Sequence, residues 1–336
     1  MRKKIHNILF VFFLILSQFY PLSYVFPQDL QTKSPKPPQK WGYVYSNSFE
    51  KFPQSYVNRI LKDYDVICIT GLLLRGTGQL RFENEFINKI TQAGIRKNPD
   101  KPIIYPMIGL SSVKDGISLL NSDNSRKKSI DNIIKFLTAY NFKGVHIDFE
   151  GLPEDYARAF SLYLKDLKTE LQQVNLILSM AIFPQLEFKD TNKGFHNPSF
   201  LSQSVDMIVI MMYDYHNTKT EQGCTTGELW AENNIVEIQK NFSSEKIWLG
   251  IPAYGYEWSN ALKTPRVVSA REAHILKNQN PFTRDPNGCI KITVKEGGRE
   301  SIIFYSDEQL RSNLNKLAEK YSLSGTALWR LGLEED

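Results

Sequence analysis

Beyond residue 40 the chain alternates short apolar runs with longer segments whose apolar positions recur every three or four residues, almost to the C-terminus. Residues 42–45, 65–73, 102–109, 144–150, 176–183, 207–213, 247–254 and 326–331 are apolar-rich runs of strand length, and they read as strands. Helical spacing falls between most of them, at 83–97, 129–140, 153–174, 229–241, 270–278 and 307–321. The segment 153–174 is the clearest. It opens with Pro153, carries Glu154 and Asp155 near the positive end of the helix dipole, and lines up Phe160, Leu164, Leu167 and Leu171 on one stripe. Such repetition predicts parallel α/β architecture. Eight strands favour a closed (β/α)8 TIM barrel over an open doubly wound sheet, and no glycine-rich phosphate loop follows the first strand.

One stretch breaks the rhythm. Residues 290–294 and 301–305 flank Lys295-Glu296-Gly297-Gly298-Arg299-Glu300, which reads as a hairpin. With the short helix at 270–278 it predicts a small α+β lobe, inserted at about 259–306 after the seventh strand.

The front of the chain is of another kind. Arg2, Lys3 and Lys4 precede an apolar core over residues 8–16, shorter than the roughly 20 residues of a membrane span, so residues 1–26 are expected to be a signal peptide. An uncleaved N-terminal anchor is the alternative, and only then would the chain meet a membrane. Residues 27–40, with Pro35, Pro37 and Pro38 among Gln, Ser and Lys, form a linker to a domain over 41–336. Six basic residues against Asp29 place the whole formal charge of +5 in residues 1–40, and the remainder balances at 35 basic and 35 acidic. That balance gives no electrostatic case for nucleic acid. Export places the domain outside the cell or in the envelope, acting as a monomer. Cys68 sits in an apolar run as a small buried hydrophobe, while Cys224 and Cys289 lie in loops where export would permit pairing but no spacing decides it.

The chemistry concentrates in Lys143-Gly144-Val145-His146-Ile147-Asp148-Phe149-Glu150. Strand alternation puts His146, Asp148 and Glu150 on one face and Val145, Ile147 and Phe149 on the other. A structural strand seldom aims two carboxylates the same way, because each buried charge must be paired or neutralised. In a (β/α)8 barrel, functional groups gather at the C-terminal ends of strands, where Glu150 is expected.

These residues resemble the fourth strand of glycoside hydrolase family 18, Asp-Gly-x-Asp-x-Asp-x-Glu, in its last Asp and its Glu but not its first two Asp positions. Met211-Met212-Tyr213-Asp214, Gly250-Ile251-Pro252-Ala253-Tyr254-Gly255-Tyr256 and Gly325-Thr326-Ala327-Leu328-Trp329 resemble the family's sixth, seventh and eighth strands in the right order. The flavour is that of its cell-wall and spore-associated branch. The resemblance implies an exported glycosidase acting on β-linked N-acetylglucosamine polymers, chitin or peptidoglycan, by a retaining mechanism assisted by the substrate's acetamido group. It implies Glu150 as acid, Asp148 as its acetamido-orienting partner, and Tyr213 and Asp214 as further catalytic groups. Trp329, Tyr254, Met211 and His146 would contact substrate, with no cofactor and no metal. It also implies a cis peptide after Trp329 and a second after Glu150. Alternation alone would turn Tyr213 and Asp214 to opposite faces, so their joint use demands a strand end that twists or bulges. His146 stands where the family has Asp, and an imidazole there could donate a hydrogen bond that holds Asp148 ionised.

Each residue also has a plainer reading. Glu150 and Asp148 could be salt-bridged barrel-end acids, Trp329 a core cap, and His146 a satisfied interior histidine. A non-catalytic glycan-binding relative is the second functional class. A metal hydrolase using His146, Asp148 and Glu150 is the third, weakened because His196 and His216 lie in separate loops.

Overall fold

The computed structural model describes residues 39–82, 86–88, 102–188 and 193–335. The leader, nearly all of the linker, and most of the expected helix at 83–97 lie outside them. Strands β1 (Gln39–Tyr45), β2 (Val66–Leu74), β4 (Ile103–Leu110), β5 (Gly144–Asp148), β6 (Ile177–Ile182), β7 (Met207–Met211), β8 (Ile247–Pro252) and β14 (Gly325–Trp329) pair in parallel, and β1 bonds both β14 and β2. The sheet therefore closes on itself as the expected eight-stranded barrel. A short β3 (Leu80–Phe82), absent from the sequence pattern, folds back antiparallel on β2.

The helices pack outside. They are α1 (Gln54–Asp63), α2 (Val113–Leu120), α3 (Asp123–Ala139), α4 (Ala157–Gln173), α5 (Pro198–Leu201), α6 (Glu228–Gln239), α7 (Ala270–Lys277) and α8 (Glu308–Lys320). The stripe Phe160, Leu164, Leu167 and Leu171 on α4 is fully buried against the barrel, which stabilises it by about 2 kcal/mol per side chain. α1 and α2 were not foreseen, and α3 starts six residues before the expected 129. Ser112 and Ser122 explain the two starts, since their side chains accept the Asp115 and Ser125 backbone N–H groups. Inside the barrel, Trp41, Tyr105 and Trp248 pack with Cys68, which is buried as expected.

The run 247–254 is not one strand. β8 ends at Pro252, and β9 (Tyr254–Ser259) belongs to a second, antiparallel sheet with β10 (Arg266–Ser269), β11 (Phe282–Arg284), β12 (Ile290–Glu296) and β13 (Arg299–Tyr305). This lobe sheet thus begins at Tyr254, earlier than 259. Its β12–β13 hairpin turns at Gly297 and Gly298, both at positive φ, as a two-residue loop requires.

Cys224, in the loop after β7, is bonded to Cys289, in the turn before β12. The bond closes a loop of 65 residues, and Cys224→Ser is expected to destabilise the fold by about 3–4 kcal/mol by loosening the unfolded chain. Urea unfolding should show a lower midpoint in Cys224→Ser, matched by the reduced native chain. An unchanged midpoint would contradict this.

Candidate functional site

β5 carries the central carboxylates because its outward face is wholly apolar and buried. Val145, Ile147 and Phe149 are 0% exposed, so the opposite face must point into the barrel. The strand ends at Asp148, two residues short of the expected Glu150. Gly151, at φ 75°, then turns the chain off the rim, leaving Glu150 exposed at the cleft and Asp148 partly buried below it.

Asp148 and Glu150 share a side-chain hydrogen bond. Burial pushes the Asp148 carboxyl up to about 6, and the Glu150 bond opposes that rise. Both carboxylates line a cavity of ≈90 Å3 together with Tyr43, Met107, Ala181, Met211, Tyr213, Asp214 and Trp329. On the side of β2 and β4 they also border a groove of ≈400 Å3 that includes Thr70, Gly109 and Ser112.

β7 stops at Met211, and the backbone then tightens: Met212 N–H donates to Ile210 O at 2.9 Å and Tyr213 N–H to Met211 O at 2.8 Å. Asp214 follows at φ 62°. This is the twisted strand end that the joint use of Tyr213 and Asp214 demanded, and it brings both to one cavity. Asp214 N–H donates to Thr225 Oγ1 at 3.0 Å, next to the disulfide. Its Oδ1 accepts from the Tyr254 hydroxyl at 2.5 Å and the Tyr256 hydroxyl at 2.6 Å. Burial raises the Asp214 carboxyl, and these tyrosines partly offset the rise. Tyr254 therefore reaches the cavity through Asp214 and does not line it itself.

Trp329 is joined to Arg330 by a cis peptide, as expected. It is the sole cis bond among the described residues, so the one expected after Glu150 is absent. The Trp329 indole stacks near Tyr213 at 6.1 Å and meets Tyr43 edge-on at 5.2 Å. Burial raises the Tyr43 and Tyr213 phenols, helped by Cys68, Tyr213 and Asp148 around Tyr43 and by Asp148, Glu150 and Asp214 around Tyr213, and both stay protonated.

His146 does not donate to Asp148. Its Nε2 lies 3.1 Å from the Tyr43 hydroxyl and its Nδ1 2.9 Å from Ser179 Oγ, which in turn lies 3.2 Å from Val145 O. Full burial lowers the imidazole to about 3, so it is neutral. One arrangement satisfies all three contacts: Ser179 donates to Val145 O, Nδ1–H donates to Ser179, and Tyr43 donates to Nε2. The Tyr43 proton then points away from Asp148. Both ring nitrogens are engaged, which also removes His146 from any metal set with Asp148 and Glu150.

A second histidine, which the sequence placed only in a separate loop, also reaches this strand. His196, fully buried, accepts the Phe183 N–H at Nδ1 (3.0 Å), so its Nε2 carries the proton and donates to Phe149 O at 2.8 Å. It thereby fixes the peptide between Asp148 and Glu150. No spacing signalled this, because the contact spans 47 residues.

Fold comparison places the chain among (β/α)8 barrels built like chitinases. The crystal structure of a chitinase from Chromobacterium violaceum superposes with a TM-score of 0.77 at 17% identity, over 89% of this chain and 96% of that one. The Bacillus cereus spore cortex-lytic enzyme SleL gives 0.75 at 18% identity, over 88% and 71%. The family is fixed by sequence: Glycosyl hydrolases family 18 matches residues 39–334, and the chain belongs to it. It is 24% identical over 229 residues to the uncharacterized glycosylase YvbX of Bacillus subtilis, covering 65% of each chain. It is also 24% identical over 236 residues to the Bacillus subtilis cortical fragment-lytic enzyme, covering 65% of this chain and 53% of that protein. The chain thus spans between half and two-thirds of these relatives.

Proposed function

We propose that the protein is an exported glycosidase that cleaves β-linked N-acetylglucosamine polymers, with peptidoglycan favoured over chitin by its cortex-lytic relatives. The observation that carries the mechanism is the hydrogen bond between Asp148 and Glu150. Two-carboxylate glycosidases hold their acids about 5–5.5 Å apart when retaining and about 6.5–9.5 Å apart when inverting. Hydrogen-bonded acids cannot flank an anomeric carbon in either way. Asp214, the third carboxylate of the cavity, is engaged by the Tyr254 and Tyr256 hydroxyls, and in this reading the substrate's own 2-acetamido oxygen supplies the nucleophile instead.

In this reading Glu150, open to the cleft, protonates the glycosidic oxygen. The acetamido carbonyl oxygen attacks the anomeric carbon, the leaving sugar departs with the proton, and an oxazolinium ion forms. Asp148, released from Glu150, accepts the acetamido N–H and balances the positive charge. Tyr213 donates to the acetamido oxygen, Met211 and Ala181 enclose its methyl group, Trp329 stacks beneath the sugar, and Asp214, aimed by Tyr254, binds the distorted ring. Water, deprotonated by Glu150, then opens the oxazolinium with net retention. His146 acts only through Tyr43.

Incubation with chitooligosaccharides and with peptidoglycan, products read by mass beside Glu150→Gln, tests the reading. Cleavage that survives Glu150→Gln unchanged would sink it, as would saturable binding with no product from the native chain. His196→Ala is expected to lower kcat about 10–100-fold by freeing the Phe149 peptide. Oligosaccharide affinity, measured in a Glu150→Gln background, should change little. Equal losses in affinity and kcat would show that His196 merely supports the fold.

A further inference from the structure

The groove on the β2 and β4 side of Asp148 and Glu150 holds ≈400 Å3, against ≈90 Å3 for the cavity that the same carboxylates share with Trp329. Its described walls are largely aliphatic. Leu72 and Leu73 come from β2, Leu110 from the end of β4 and Val113 from the start of α2. Leu73 and Val113 are 40% and 41% exposed, so apolar surface is left open beside the acid. Ser112 also borders the groove, but its hydroxyl is committed to Asp115 as the cap of α2.

Gly109 opens the groove floor, and nothing in the fold demands a glycine there. Strand alternation turns position 109 the way Met107 points, and Met107 lines both the cavity and the groove. A Cβ at 109 would meet Asp148 O at 3.5 Å and Leu73 Cδ2 at 3.7 Å, both ordinary contacts. The other glycines of the barrel strands differ. At Gly42, Gly71, Gly144, Gly250 and Gly325 a Cβ would fall 2.8 Å or less from another atom. A glycine inside a strand weakens it unless something must approach its backbone closely, and at 109 that something enters from the groove. An aliphatic wall suits an alkyl branch better than a bare sugar edge, whose hydroxyls cost free energy to bury without partners. The groove also begins at Glu150, and a group that protonates the glycosidic oxygen lies beside the leaving sugar.

We propose that this groove receives an aliphatic ether branch on the leaving sugar, of the kind a lactyl group forms in N-acetylmuramic acid, and that Gly109 is the specificity-determining position that keeps it open. The proposal rests on the reading of Glu150 as the acid, and it names the bond that is cut: the one whose leaving sugar carries the branch. Its test compares two tetrasaccharides, one of N-acetylglucosamine alone and one in which N-acetylglucosamine alternates with N-acetylmuramic acid. The lactyl carboxyls are amidated, so that charge is not read. In full-length Glu150→Gln protein the branched ligand is expected to bind roughly tenfold more tightly. Gly109→Val should erase that preference by filling the floor, and Gly109→Ala should reduce it part of the way. Both should keep a urea midpoint at or above that of the native chain, since either residue suits a strand better than glycine. Val113→Thr, which alters polarity at nearly constant volume, should shrink the preference about threefold without filling anything. Products of the native chain, read by mass, should carry N-acetylmuramic acid at the new non-reducing end. Equal affinity for the two ligands would overturn the proposal. So would equal losses for both in Gly109→Val, which would give the groove to the sugar ring, or products with N-acetylmuramic acid at the new reducing end. A native chain that shows the preference, loses it in Gly109→Val and yet hydrolyses neither ligand would overturn the glycosidase reading and leave the groove's choice of branch standing.

Discussion

Glu150→Gln is expected to lower kcat on N-acetylglucosamine oligomers by roughly a thousandfold, with little change in oligosaccharide affinity. A positioned general acid contributes about 10²–10⁴, and glutamine keeps the shape but has no transferable proton. The loss should be at the high end, because the two other carboxylates that line the cavity are both engaged. Asp148 is hydrogen-bonded to Glu150 itself, and Asp214 is held by Tyr254 and Tyr256. Affinity should survive because the groove walls and the Trp329 floor are untouched. Single-turnover kinetics beside calorimetric binding would separate the two. A variant within tenfold of native kcat would assign the proton to another group.

Asp148→Asn is expected to act in opposite directions on activity and stability. The Asp148 carboxyl is raised from its ordinary value of 3.8 to about 6 by burial. A raised acid binds its proton more tightly in the folded state, so its stabilising contribution is full below pH 3.8 and is lost as pH rises through about 6. At pH 8 the ionised group therefore weighs against folding. Removing it should raise stability at pH 8 by on the order of 1–2 kcal/mol, a figure discounted because the side chain opens onto the cleft. Little gain should appear at pH 4. Turnover should fall at least 100-fold, since asparagine cannot balance the positive charge of the oxazolinium. In the native enzyme, activity should decline as pH rises past about 6 and the pair loses its shared proton. Paired urea titrations at pH 4 and pH 8 check the stability claim, and equal midpoint shifts at both would contradict it.

Much of this was legible in the chain because barrel strands advertise themselves. Eight apolar runs with amphipathic segments between them specify a parallel closed sheet, and Val145, Ile147 and Phe149 fix which way Asp148 points. What periodicity could not carry were events at strand ends and contacts between distant segments. The run 247–254 looks continuous because both β8 and the start of β9 are buried; the switch to the lobe sheet at Ala253 leaves no polar mark. His146 was placed on the correct face but given the wrong partner. Alternation reports direction within one strand, whereas Tyr43 and Ser179 arrive from β1 and β6. Thr225 and the partners of His196 and Tyr256 escaped for the same reason, since each acts on the site through a tertiary contact that no local pattern encodes. The Cys224–Cys289 bond was open for the same cause: an even count permits a pair, but only the fold brings the two loops together.

The central claim is that cleavage runs by double displacement, with the substrate's acetamido group as the proposed nucleophile, and not by direct attack of water on the anomeric carbon. Proton NMR of the first product formed from a chitooligosaccharide, recorded before mutarotation, tests it most directly. The β-anomer at the new reducing end is the predicted result. Initial release of the α-anomer would mean inversion, and would contradict it.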